Sequence, residues 1–436
     1  MKKFYLVVAL LFTLISVRSQ NVTSVNNGNW LNPTTWSCMC IPVPGYTASS
    51  ITINHNVVMD TSMILPSGSI TIGTTGILSD DVYGSDLWVN GGTLINNGIL
   101  DFRYLYAQTG SVTNNDSIHL KSLASLVTFT NNGTIYIPDS MFLNGNFTNN
   151  GIINVGTFYN ESVFHNYGAI VNADSITNAG AFTNHLNSWM EVDSMTNTGI
   201  LTNDGTISYY AFTNFGNYTN NNLITFFDFT NIGSFSNNDS LIGTGSFFNV
   251  GNFTNVFGSK LLIGDSFLNA DTLGYHGYFY NDGYVYVGNN WYNSDTIAGT
   301  AGSFIVENLT GNEGMMTGAF DFCDLTPPAS TPFIDYNIGT IDASITYCTN
   351  TSVKEINAED INVFPNPVKD ILQVSGITET SVFLISDITG KILSSNYLNQ
   401  NKSAINISEY NNGVFIYSVI DTKGNILSKG KFIVVK

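Results

Sequence analysis

Through the middle of the chain one phrase keeps returning: an apolar residue, Thr, Asn, any residue, then Gly or Asp. It reads Phe147-Thr148-Asn149-Asn150-Gly151, Met195-Thr196-Asn197-Thr198-Gly199, Leu201-Thr202-Asn203-Asp204-Gly205, Phe212-Thr213-Asn214-Phe215-Gly216 and Phe229-Thr230-Asn231-Ile232-Gly233. Asn96, Asn114, Asn131, Asn149 and Asn166 follow one another at intervals of 17 or 18 residues. From Asn197 through Asn203, Asn214, Asn220, Asn231, Asn237 and Asn249 to Asn255 the gaps alternate between 6 and 11 or 12. A unit of roughly six residues inside a coil of 17–18 predicts a solenoid with three short strands per coil.

Within one unit the alternation of side chains across a strand puts Phe212 and Asn214 on one face and Thr213 on the other. So many Phe residues cannot favourably face water, so the shared face is the interior, and β-branched Thr suits the outer surface. Gly or Asp at the corner is read as a residue tolerating positive φ. The adjacent Asn amide serves the turn backbone and, stacked on the coil above, forms a hydrogen-bonded ladder. Without such partners buried Asn would be too costly for this arrangement to stand. Helix is disfavoured, because Asn, Thr and Gly are poor helix formers and no sustained 3.6-residue apolar period runs through residues 20–310. The reading is all-β, with a parallel β-helix over residues 51–300 and room for about fifteen coils.

The first residues change the picture of where the chain works. Met1-Lys2-Lys3 and the apolar run Phe4 to Val17 have the form of a secretory signal peptide, assigned to residues 1–19, and no later stretch reaches transmembrane length. Charge is divided unevenly. Residues 21–353 hold three basic side chains (Arg103, Lys121, Lys260) against 24 acidic ones, a net charge of −21, while residues 354–436 are neutral overall. Such a surface is unsuited to nucleic acid and suits solubility outside the cell. In an exported chain disulfides are permitted, and Cys323–Cys348 is expected to staple the end of the solenoid. Cys38 and Cys40 are left open between a small bridged ring and free thiols.

Solenoid ends expose core and open strand edges, so caps are expected. Residues 20–50 depart from the repeat, and the run Gly28-Asn29-Trp30-Leu31-Asn32-Pro33-Thr34-Thr35-Trp36 resembles the lead-in of secreted β-helix proteins of the Bacteroidota. These residues are assigned to an N-terminal cap plugged by the tryptophans. Residues 301–352, with Pro327, Pro328 and Pro332, are assigned to a C-terminal cap region, and 353–360 to a linker.

Beyond the linker come Val363-Phe364-Pro365-Asn366-Pro367-Val368-Lys369-Asp370, Ile385-Ser386-Asp387-Ile388-Thr389-Gly390-Lys391, Gly413-Val414-Phe415-Ile416-Tyr417 and Lys431-Phe432-Ile433-Val434-Val435-Lys436. These are alternating strands between turn signals, about seven in all, which predicts a small β-sandwich. Residues 361–436 resemble the type A C-terminal sorting domain of the type IX secretion system, with Pro365, Asn366, Pro367, Asp387, Gly390, Lys391 and Gly413 as the motif positions. The resemblance implies delivery through the inner and outer membranes to the cell surface or medium. It also implies an outer-membrane translocon and a sortase-like peptidase as partners, cleavage near Ser352–Asp360, and release or attachment to surface lipopolysaccharide.

The cargo itself shows little chemistry. No nucleophile-elbow, zinc-protease, phosphate-loop or calcium-repeat motif is present. A lyase of the β-helix kind would need a base beside calcium-holding acids, and none of the three basic residues sits in an evident acidic cluster. Asp116, Asp174, Asp239 and Asp271 stand singly at corners, and His165 and His185 have no metal-site spacing. The expectation is a structural or adhesive protein with no cofactor and no metal; a polysaccharide-binding or polysaccharide-degrading protein is the alternative. Two features could carry binding or modification. Parity turns Tyr278, Tyr280, Tyr284, Tyr286 and Tyr292 outward, as a platform for glycans or a protein. Ser117, Ser140, Ser175, Ser194, Ser240, Thr272 and Thr296 follow corner Asp residues in a pattern that resembles O-glycosylation acceptors of Bacteroidota surface proteins.

Overall fold

The computed structural model describes residues 20–45, 48–81, 84–272, 274–326, 334–348, 361–377, 381–387, 392–398, 402–421 and 426–436. The signal-peptide segment, the linker 353–360, Pro327, Pro328, Pro332, Gly390 and Lys391 lie outside the described residues. Apart from a single 3-10 turn at Pro33–Thr35, every named element is a strand. Two compact units are distinguished, Met1–Leu120 and Lys121–Lys436. Both are built as parallel β-solenoid, about fifteen turns in all, and the second also holds the antiparallel C-terminal sheets.

In the first unit, strands such as Ala48–Ile53, Asn56–Met59 and Met63–Leu65 each pair in parallel with the strand one coil on. Ile51, Ile70, Leu94 and Val112 fall in register, so an interior position is filled by a β-branched or Leu side chain in every coil. Trp30 and Trp36 are buried edge to face at 4.7 Å, each indole N–H donating to a backbone carbonyl. Cys38 and Cys40 are bonded, with Cα atoms 5.1 Å apart, so the alternative of free thiols falls.

The second unit shows the repeat most clearly, and its strands fall into three parallel columns. The first stacks Phe147–Asn149, Val163–Asn166, Ala181–Asn184, Ile200–Asn203 and Asn217–Asn220. The third stacks the Phe158–Asn160 segment, Ile176–Asn178, Met195–Asn197, Phe212–Asn214 and Phe229–Asn231. Between them the second column, including Lys260–Ile263, Tyr284–Val287 and Ser303–Val306, has apolar residues such as Ile263, Val287 and Val306 where the other two carry a ladder Asn. That column fills the 11- or 12-residue gaps in the Asn spacing. The Phe residues are buried as expected and stack along the axis, with Phe129, Phe147, Phe164 and Phe182 following one another at 4.7, 5.3 and 4.6 Å.

From Asn149 to Asn293 two corners of each coil are therefore lined by Asn. One ladder runs Asn131, Asn149, Asn166, Asn184, Asn203, Asn220, Asn237, Asn255 and Asn281, each Nδ2 donating to the Oδ1 of the next at 2.7–2.9 Å. The other runs Asn160, Asn178, Asn197, Asn214, Asn231, Asn249, Asn269, Asn293, Asn312 and Asn337 at the same distances. Many members also donate to the carbonyl two residues on, as Asn149 does to Gly151 at 3.2 Å. Each amide thus serves its own turn and the next coil together, which is what makes an Asn of zero exposure tolerable. The first ladder ends at Asn281 because Gly299 occupies the following corner.

The corner glycines require correction. Gly151, Gly168, Gly199, Gly216 and Gly233 are not in the left-handed region. They are selected by close approach: a Cβ on Gly216 would strike the carbonyl oxygen of Gly199, and one on Gly233 that of Gly216. Coils about 4.8 Å apart leave no room for a methyl where one corner carbonyl faces the next.

Cys323 and Cys348 are bonded as expected, tying the neighbouring strands Asp321–Asp324 and Thr346–Tyr347 across 25 residues. The C-terminal region forms the expected sandwich. Asn362–Phe364, Ile371–Ser375 and Lys402–Asn406 make one antiparallel sheet; Ile392–Leu398, Ser381–Ser386, Gly413–Asp421 and Ile426–Val434 make the other. Val368, Leu372, Phe383, Ile385, Val419 and Phe432 are in its core.

Replacing Asn214 by Ala takes one of three acceptors from the Nδ2 of Asn197, leaves the Oδ1 of Asn231 without its donor in a dry interior, and removes the bonds of Asn214 to the carbonyls of Gly216 and Ser234. A stability loss of about 2–5 kcal/mol is expected, whereas Asn337→Ala, at an exposed ladder end with a single neighbour, should cost about 1 kcal/mol or less. Urea midpoints of the two variants, followed by tryptophan fluorescence, check the ordering.

Candidate functional site

All five tyrosines point outward as parity required, but the structure does not bring them together on one face. Tyr278–Asn281, Tyr284–Val287 and Trp291–Asn293 are successive strands of one coil, and each pairs into a different column. Tyr278 and Tyr280 lie on the first face, Tyr284 and Tyr286 on the second, and Tyr292 on the third. A strand's lateral neighbour is one coil away in sequence, so residues within one coil are separated by corners. Three of their hydroxyls, on Tyr280, Tyr286 and Tyr292, are also engaged. Tyr280 donates to Asp282 at 2.8 Å. Burial, together with Glu307, pushes the Tyr286 hydroxyl well up, and the bond to Glu313 pushes Tyr292 up to about 12.

Surface aromatics do meet where their spacing equals one coil. Trp88 and Tyr106, 18 residues apart, stack at 4.2 Å. Tyr210 and Phe227 stack at 5.0 Å with rings parallel to within 1°, and Phe142 lies 6.4 Å from Tyr159. The sequence signal for these pairs was an aromatic at an outward position recurring after 17 or 18 residues. A ring stacked on its neighbour in the next coil has one face already covered, which leaves less of it for a sugar.

His165 and His185 were set aside on spacing, yet they meet. Nδ1 of His165 is 3.1 Å from Nε2 of His185, and Tyr167 stacks on His185 at 3.8 Å. Burial, with the His165 ring beside it, holds His185 below the ordinary histidine range. A second missed residue is His276, on the loop inserted after Asn269. Its Nδ1 is 3.6 Å from a carboxylate oxygen of both Asp271 and Asp295, and the ligand atoms of the three lie within 4.8 Å of one another.

Arg103 also departs from expectation, since it does sit among acids. It shares a shallow depression with Asp80, Asp81 and Asp101, and its backbone N–H donates to Asp80 at 3.0 Å. The parallel register of Ser79 with Asp101 places these residues one coil apart, which the linear sequence hid. Burial, opposed by that bond and reinforced by the charges of Asp101 and Asp81, raises the Asp80 carboxyl.

Several corner acids hold an adjoining coil, whereas Asp116 and Asp239 accept from the Ser that follows each of them. Asp282 accepts from the N–H groups of Thr300 and Ala301, bonds that outweigh burial and keep its carboxyl low. Asn289 and Ser246 do the same for Asp265. Of the Ser and Thr acceptors, Ser194 is exposed and Ser117, Ser140, Ser175, Thr272 and Thr296 are half-buried, but Ser240 is buried and donates to Asp239.

In the tail, Asn366 closes the sandwich. Its Nδ2 donates to the carbonyl of Lys431 at 3.0 Å and its Oδ1 accepts from Ile433 at 2.9 Å, pinning the last strand. Val368 continues the clamp through backbone bonds with Ile433 and Val435. Pro365 and Pro367 flank this Asn, and Gly413 begins the strand paired with Ile426–Val434. Residues 362–436 match the family model of the secretion system C-terminal sorting domain. The chain thus carries a type IX sorting tail, which engages that secretion machinery and directs export to the cell surface or extracellular space. No curated protein and no solved structure is a match for this chain. No helix among the described residues is long and apolar enough to cross a membrane.

Two outcomes are expected. Because His185 is depressed in the folded state, the unfolded chain takes up a proton first, near pH 6.5, and stability falls as pH drops from there through the folded value. Protection factors of the amides in residues 184–188, with the intrinsic pH dependence of exchange divided out, should fall over that window, and the fall should vanish in His185→Gln. Asn366→Ala removes two hydrogen bonds to the final strand, at about 1–3 kcal/mol. The uncleaved protein should then accumulate inside the cell, as read by immunoblot of cell and medium fractions.

Proposed function

We propose that the solenoid is a non-enzymatic structural or adhesive element that works outside the cell, on the surface or in the medium, after its sorting tail has been removed. The observation that carries this reading is the employment of the corner acids. Asp204, Asp228, Asp265 and Asp282 accept hydrogen bonds from the neighbouring coil, so they act as staples between coils. Thr, Ser and coil-spaced aromatic pairs make up much of the rest of the outer surface, as extended contact area for a partner surface.

The second reading, polysaccharide binding or degradation, rests on two observations. The Trp88–Tyr106 stack offers an aromatic edge, and Arg103 adjoins three acids, Asp80, Asp81 and Asp101.

Purified tail-free protein incubated with acidic and neutral polysaccharides is expected to release no reducing or unsaturated ends. Cells lacking the gene are expected to lose attachment or aggregation that added protein restores. Sugar release abolished by Arg103→Ala would replace this reading with the second.

A further inference from the structure

One stretch of the second column is buried on both faces over two successive coils. Strands of that column such as Lys260–Ile263 and Tyr284–Val287 read half-buried outside and buried inside. In the Leu223–Phe226 segment and in Ser240–Gly243 every residue is buried, outward-facing Leu223, Thr225, Ser240 and Ile242 included. Outward Ile242, Leu262, Tyr286 and Ile305 are in register coil after coil, an apolar stripe where the repeat elsewhere places Thr.

The tail shows the matching anomaly. An antiparallel sheet in a small sandwich usually turns polar side chains away from its core. Here Ser381–Ser386 is buried on both faces: Phe383 and Ile385 enter the sandwich core, while Val382 and Leu384 point away from it, with Ile420 opposite Val382. Val382, Leu384 and Ile420 form one buried cluster with Leu223 and Ile242, and Leu262 packs at its edge. At the rim, Tyr410 of the tail lies within electrostatic reach of Glu191, whose carboxyl is raised by burial and by Asp193.

We propose that the sorting domain docks in cis on the Leu223–Ile242–Leu262 stripe, covering it until export, and that removal of the tail uncovers a flat apolar surface on the mature solenoid. Two sequence features made independently, an outward apolar stripe and an apolar outer face on the sandwich, meet each other. A contiguous apolar patch left open would promote association during transit. Cutting the linker does not itself break this contact, so the tail stays seated until it is displaced. The proposal concerns the tail and the stripe alone and is independent of whether the solenoid is adhesive.

The test uses the full chain with a specific protease site placed between Ser352 and Asp360. After cleavage the tail is expected to co-elute with the solenoid in size exclusion. Ile242→Asp should weaken the association at least 100-fold, as should Leu384→Asp. Ile200→Asp, exposed on another column, should leave it unchanged. Thr225 has a buried hydroxyl with no partner, so Thr225→Val should bind as tightly as the parent or tighter. Independently of any variant, hydrogen exchange in 223–226 and 240–243 should rise at least tenfold when the tail is removed. Separation of the parent tail on cleavage, with exchange in those strands unchanged, would overturn the proposal.

Discussion

The amide-to-amide hydrogen bond between stacked Asn side chains governs this molecule. A parallel coil must turn three times, and each turn leaves backbone groups facing the interior that no strand partner can satisfy. An Asn at the end of a strand reaches both its own turn and the next coil, as Asn149 does with Gly151 and Asn166. The bond is useful only if its neighbour repeats it, so one Asn in place favours the same residue one coil later. Two such ladders fix the coil spacing, and that spacing then excludes side chains from corners such as Gly216, where carbonyl oxygens lie directly beneath.

The outer surface follows from the same spacing. Anything placed outward is repeated against itself along a column, so aromatic pairs at coil distance stack and corner acids find donors in the adjoining coil. Such contacts stiffen a surface without building a cleft. The exceptions are local: the loop carrying His276 beside Asp271 and Asp295, and Arg103 among the acids of an adjoining coil. The second column, free of ladder Asn and richer in outward apolar residues, is the face that meets the sorting domain. Export and architecture are joined there, because the tail that addresses the protein also lies on an apolar stripe of its cargo.

Period, inward parity and the identity of the tail were legible in the chain itself. Alternation along a strand is a local rule, and it placed Phe279, Asn281, Val285, Val287, Trp291 and Asn293 inside, as found. The seven strands of the tail were equally local, since each is bounded by its own turn residues. Which strands lie side by side is not local. Tyr278, Tyr284 and Tyr292 look like neighbours along the sequence but stand on three faces, while Trp88 and Tyr106 are distant in sequence and touch. The corner glycines carry the same lesson: their backbone conformation is ordinary, and the constraint comes from a carbonyl one coil away. What each residue does within its own coil can be read from the chain alone, because covalent geometry sets it. What the coils do to one another emerges only on winding, because stacking register, steric exclusion at the corners and the seat of the tail are properties of surfaces that exist once the chain has wound.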